Sequence, residues 1–197
     1  MDVGWNINTL LSLSAPAVSV AGLFWIIRKN WKQYGLLYLL SSFVGVVLCY
    51  IFIYLKLYTF PFRLFPSLSP IPVYLIITFF PLYVLGGVCY SPTQWRWKLP
   101  FYWVLVHLGV TAELLIEKNS DIIAYTSNWG IWDSYVWWWL YLLIFEWAGG
   151  LVVKPENRRP LDIEQLKFGK IGWFIYHFIL IATIFLAGVF AGSTLLK

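Results

Sequence analysis

Four ionisable side chains stand inside apolar stretches of this 197-residue chain: His107, Glu113, Glu146 and His177. A charge in hydrocarbon is costly, so each is by default a candidate for function. Two imidazoles and a carboxylate can ligate a transition metal, and two imidazoles on facing helices can ligate a haem. The same groups can relay a proton or act as general acid and base. The plainer alternative is a pair of interhelical hydrogen bonds that fix packing. No HxxE, HxxxH or CxxCH spacing occurs, so no metal site is assigned and no cofactor is specified.

Depth divides the four. His107 follows Phe101 by six residues, Glu146 precedes Lys154 by eight, and His177 follows Lys170 by seven. At about 1.5 Å per residue, all three lie roughly 9–12 Å from one membrane face. If their helices are neighbours, they form a single inner polar layer. Glu113 stands only four residues before Glu117, near the opposite end of its span.

The elements that must position these residues are membrane spans. Hydrophobic residues make up 60% of the chain and charged residues 12%, with a mean hydropathy of +0.73. A soluble domain carries about a quarter charged residues. Six apolar segments are predicted, from about Thr9 to Ile27, Tyr34 to Leu57, Val73 to Tyr90, Phe101 to Ile116, Tyr135 to Val153, and Ile171 to Leu196. Lipid leaves no water to satisfy an open backbone, so these are helices. The prediction is one all-α domain over residues 1–197, a polytopic bundle of about six spans. Met1 to Asn8 has no basic region of the kind that opens a signal peptide, so the first segment is expected to remain as a span.

Between the second and third segments, Pro61, Pro66, Pro70 and Pro72 forbid a regular helix. Pro16 and Pro81 fall inside spans and are expected to kink them. Gly188 and Gly192 form a GxxxG pair on the sixth segment, and Ser14, Ala17, Ala21 and Gly22 give the first a small-residue face. Both suit helix contacts, within the fold or across a homo-oligomer. Cys49 and Cys89 lie in apolar runs and read as small buried hydrophobes.

Charge sets the orientation. Alternating loops place Arg28, Lys29, Lys32, Arg96, Lys98, Lys154, Arg158, Arg159, Lys167 and Lys170 on one side, and Lys56, Arg63, Lys118 and Lys197 on the other. The positive-inside rule puts the larger group in the cytoplasm and both termini outside, in the cell membrane. This bias accounts for the net charge of +5, which is no evidence for nucleic acid. In this reading Arg96 and Lys98 sit in a short basic loop, and the 154–170 loop is a solvated stretch able to lie along anionic lipid.

The outer loop from Asn119 to Ser134 is the other informative stretch. Trp129 and Trp132 flank Gly130 and precede Asp133 and Ser134, either of which can cap the next helix. Trp137, Trp138 and Trp139 continue the aromatic cluster one turn in. The stretch reads as an interfacial belt or as an aromatic-walled entrance to a pocket near Glu113.

From about Pro72 to Val153 the chain resembles an uncharacterised family of small integral membrane proteins of spore-forming Firmicutes. The shared pattern is a proline-containing span, a short basic loop, a span ending in a glutamate, and a tyrosine-bearing loop. An Asn/Trp-x-x-Trp-x-Ser element then opens the next span. The matching residues are Pro81, Glu113, Tyr125, Asn128, Trp129, Trp132 and Ser134. The resemblance implies no activity, but it singles out Glu113 and the Trp-x-x-Trp element. Trp129-Gly-Ile-Trp-Asp133 is also similar to part of a loop of tryptophan-rich haem-handling proteins. Here that pattern is shorter, and both histidines fall on the opposite half of the membrane.

Three functions follow. The first is a ligand-binding or accessory subunit of a membrane process, with Glu113, Tyr125, Asn128, Trp129, Trp132, Asp133 and Ser134 as ligand-binding candidates. The second is a membrane-embedded enzyme acting on a lipophilic, isoprenoid-like substrate with a buried glutamate as general acid. It predicts an apolar cavity with Glu113 or Glu146 in its wall. The third is a small proton-coupled transporter using Glu146 and the histidines. The first is favoured, with the lipid bilayer and a lipophilic ligand as partners.

Overall fold

Six helices, each long and apolar enough to cross a membrane, account for most of the described chain. The computed structural model describes residues 6–162 and 169–195. Lys167 and Lys197, counted above in the charge bias, lie outside them. The helices are α1 (Ile7–Ile27), α2 (Trp31–Tyr54), α3 (Val73–Tyr90), α4 (Trp95–Asn119), α5 (Ile131–Val152) and α6 (Gly169–Leu195). The all-α bundle of about six spans is therefore what the chain forms. Outward faces carry large apolar side chains such as Phe24, Phe43, Ile144 and Phe174. A surface of this extent and apolarity belongs in a bilayer.

One reading of the span ends needs correction. Arg96 and Lys98 are not in a loop, because α4 already begins at Trp95. Pro100 lies so near the helix start that it removes only the bond to the Arg96 carbonyl. The helix therefore runs through it. α1 and α3 also continue through Pro16 and Pro81.

Packing follows side-chain size. α1 lies on α3 through buried Ser12, Ser19, Leu23 and Ile26. A side-chain carbon placed on Gly22 would stand 2.7 Å from Leu82 Cδ1. The central core is built from Tyr34, Leu37, Val84, Leu85, Tyr102, Val106 and Leu142. α6 differs, since most of its described side chains are exposed and open space surrounds Gly188 and Gly192. Its GxxxG face is therefore not used in packing within the described fold.

Each end of the bundle is tied by loops. At the end holding the start of α1, Asn8 Nδ2 donates to Asp121 Oδ2 (2.9 Å) and Asn8 Oδ1 accepts from the Asp121 backbone N–H (2.8 Å). The Phe62 N–H donates to the Asp121 carbonyl (2.7 Å). Two short strands, β1 (Tyr58–Thr59) and β2 (Ala124–Tyr125), pair antiparallel with Tyr58 opposite Tyr125. The 55–72 and 120–130 loops are thus one layer across that end.

At the opposite, basic end the segment after α5 folds back as a strap. The Arg159 and Leu161 N–H groups donate to the carbonyls of Cys89 (2.7 Å) and Tyr90 (3.0 Å). Lys29 Nζ and the Tyr34 hydroxyl donate to the carbonyls of Arg158 and Asn157, both at 3.0 Å.

β1 is placed by the way α2 stops. The Lys56 N–H donates to Ile53 O and the Leu57 N–H to Phe52 O. These are the two bonds of a Schellman cap, whose C′ residue is left-handed and usually glycine. Here that residue is Lys56, with φ 57°. Its Cβ is strained there. Lys56→Gly is expected to stabilise the protein by about 1 kcal/mol, read from the unfolding midpoint in mild detergent. No gain would mean that the lysine side chain carries an offsetting contact.

Candidate functional site

Glu113 lies on the last third of α4 and is half-buried. Three donors converge on its carboxylate. Tyr125 and Ser134 donate their hydroxyls to Oε1, both at 2.6 Å, and Trp138 Nε1 donates to Oε2 at 2.8 Å. Ser134 in turn accepts from Trp129 Nε1 at 2.8 Å.

Two helical repeats create this geometry. Ser134 and Trp138 are four apart on α5, and Gly109 and Glu113 are four apart on α4, so each pair shares a face. The faces meet. A side-chain carbon on Gly109 would stand 3.0 Å from the Trp138 ring, so the glycine leaves room for the indole to reach the carboxylate. Tyr125 arrives from β2, held by its pairing with β1. Burial pushes the Tyr125 hydroxyl well above its ordinary range, and the Glu113 charge and their hydrogen bond push it further. It therefore stays a donor.

Beside this cluster is a cavity of about 160 Å³. An apolar space of about 150 Å³ is enough to take up benzene. Phe52, Tyr58, Ile76, Phe80, Trp129, Trp137, Trp138 and Tyr141 are among its walls, and Glu113 is the only ionisable acid or base among the lining residues apart from Cys49 and the tyrosines. The rings are packed on one another, Phe52 with Trp129 at 5.0 Å, Phe52 with Trp137 at 4.8 Å and Phe80 with Trp138 at 5.4 Å between centroids. The other polar tips are turned to protein partners: Tyr58 to Cys49 Sγ (3.5 Å) and Tyr141 to the Ser41 carbonyl (2.9 Å).

The structure therefore brings together Glu113, Tyr125, Trp129 and Ser134. It leaves three other loop candidates apart. Asn128 is exposed. Trp132 packs edge-on against Tyr135, at 6.1 Å, and does not line the cavity. Asp133 Oδ2 accepts the Gly130 N–H (2.9 Å), so it closes the start of α5 from inside the helix. Ser134 does not cap α5, because its hydroxyl is engaged by Glu113.

The inner layer is not one cluster. Glu146 is buried and holds its own partners, accepting from Tyr102 (2.6 Å), Arg158 (3.2 Å) and Lys98. The Tyr102 ring rests against Gly87, where an added carbon would stand 3.0 Å away. His107 Nδ1–H donates to the Trp103 carbonyl and His177 Nδ1–H to the Trp173 carbonyl, both at 2.8 Å. Each imidazole is also in contact with the tryptophan ring four residues earlier, at 4.2 and 4.0 Å. The repeated Trp-x-x-x-His spacing explains both histidines locally. Among the described residues no group of histidine, cysteine and carboxylate side chains has the arrangement of a metal site.

Sequence reasoning missed Trp138 as a partner of Glu113, and Lys98, Tyr102 and Arg158 as partners of Glu146. The available signals were the Ser134–Trp138 and Lys98–Tyr102 spacings, each of four residues. Comparison with protein-family models, curated proteins and solved structures finds no match. Fold and site together define a polytopic helical membrane protein with a small apolar cavity and one carboxylate in its wall.

Proposed function

We propose that this chain is a small multi-pass protein of the cell membrane, termini outward, that binds a lipophilic ligand in the cavity beside Glu113. The single observation that carries the reading is the cavity itself, about 160 Å³ walled by aromatic and aliphatic side chains with one carboxylate. Ligand sites are mostly apolar with a few placed polar groups, and this one fits that description. Its dimensions suit one ring, or the end of a longer molecule that reaches the bilayer.

The direction of the hydrogen bonds favours binding over catalysis. A general acid must present a proton to the substrate. Three donors instead point at Glu113, an arrangement suited to holding a negative group in place. A transporter reading draws little support from the histidines, since the Nδ1–H of each is held by a carbonyl of its own helix.

The test is native mass spectrometry on protein equilibrated with a membrane lipid extract in mild detergent. Gly45 lines the cavity, and a Cβ there would make ordinary contacts with Ile76, Phe80 and Tyr141, at 3.4–3.7 Å. Gly45→Leu is expected to take up part of that space. The wild type is expected to retain a lipophilic adduct that Gly45→Leu loses. An adduct equally abundant in both, or absent from the wild type, overturns the reading.

A further inference from the structure

Glu146 and Glu113 are treated differently by the fold. Glu146 faces two cations, Lys98 and Arg158. No described lysine, arginine or histidine lies within ion-pairing distance of Glu113. Its three partners are neutral donors, which orient a carboxylate without cancelling its charge. A carboxylate has about four acceptor sites, and three are taken. One remains on Oε2, which receives only Trp138.

The walls supply the complementary half. Phe52, Tyr58, Trp129, Trp137 and Trp138 surround the same space. An aromatic face attracts a cation within about 6 Å of its centroid, most strongly when water is excluded. Indole N–H tips engaged on Ser134 and Glu113 hold Trp129 and Trp138 in position for this. An aromatic-walled space with an uncompensated carboxylate is electrostatically incomplete when filled by a neutral hydrocarbon.

We infer that the ligand is an organic cation, an amine-bearing lipophile whose ammonium pairs with Glu113 while its apolar body fills the aromatic cavity. This rests on the proposed binding function and names its chemical class. Charge neutralisation inside the site, and not hydrophobic burial alone, then sets the affinity. A neutral body of the same shape loses the ion pair and the cation–π attraction. It also leaves the carboxylate charge without a counter-charge.

The isosteric probes 2-phenylethylamine, protonated at neutral pH, and propylbenzene separate the two ideas. Thermal midpoints of the purified protein in mild detergent are measured against the concentration of each. The amine is expected to bind the wild type about tenfold tighter than propylbenzene. That preference should fall below about twofold in Glu113→Gln, and both shifts should vanish in Gly45→Leu. Equal affinity of the two probes for the wild type overturns the cation inference. If Gly45→Leu still abolishes those shifts, the cavity reading survives alone. Shifts absent for both probes, or unchanged in Gly45→Leu, overturn the cavity reading as well. The wild-type comparison decides the matter even where Glu113→Gln folds poorly.

Discussion

Glu146→Leu is expected to destabilise the protein by about 3 kcal/mol. The carboxylate is 2% exposed and accepts from Lys98, Arg158 and the Tyr102 hydroxyl. Removing it leaves two cations and one phenol without their acceptor. Breaking a buried pair by deleting one partner typically costs about 3–5 kcal/mol. The lower end applies because Lys98 and Arg158 are each 12% exposed at the basic end and can swing toward water.

Arg158 also belongs to the strap, so the loss is local as well as global. Trypsin cleavage at Arg158 should speed up before the bundle unfolds. The decisive comparison is Glu146→Leu combined with Lys98→Met and Arg158→Met. Well-packed apolar replacement of a buried ion group is often neutral or stabilising, so the triple variant should recover most of the midpoint in an SDS titration. A triple variant no more stable than Glu146→Leu would mean that the strap, and not the ion group, carries the stability.

The six spans were legible because hydropathy and length are enough to define a helix in lipid. Their ends were less so. A cation in a membrane protein reads as loop, yet Lys98 sits inside α4 because its long side chain turns inward to Glu146. The inner layer at common depth was a one-dimensional argument. Depth fixes height along the bundle, but not rotation about each helix axis. Glu146 meets Lys98, Tyr102 and Arg158, whereas His107 and His177 each turn to the carbonyl of the tryptophan four residues earlier.

Rotation is readable only where two positions four apart point the same way. Ser134 with Trp138, and Gly109 with Glu113, are two such pairs. They become a site only once α4 and α5 are known to pack together. The Tyr125 contribution depends on the pairing of β1 with β2, two-residue strands with no periodicity to read.

Glu113→Leu should cost about 3 kcal/mol, comparable to the loss at Glu146 but with a different suppressor. It strands the Tyr125 and Ser134 hydroxyls and the Trp138 N–H, and an unsatisfied buried donor costs about 1–3 kcal/mol. The three penalties do not simply add. Tyr125 and Ser134 are already 3.1 Å apart, so one hydroxyl can donate to the other, which leaves one hydroxyl hydrogen and the Trp138 N–H without an acceptor. Glu113→Gln keeps one carbonyl for Trp138 and should cost about 1–2 kcal/mol.

Combining Glu113→Leu with Trp138→Phe, measured as a double-mutant cycle, should therefore recover part of the stability, because the second change removes the stranded donor. A cycle with no coupling would show that the Trp138–Glu113 bond is energetically empty. Removing a described cation should not rescue Glu113→Leu, since none pairs with Glu113. The fold thus balances Glu146 with its own cations and leaves Glu113 oriented but unbalanced, and that residual charge is what a cationic ligand would meet.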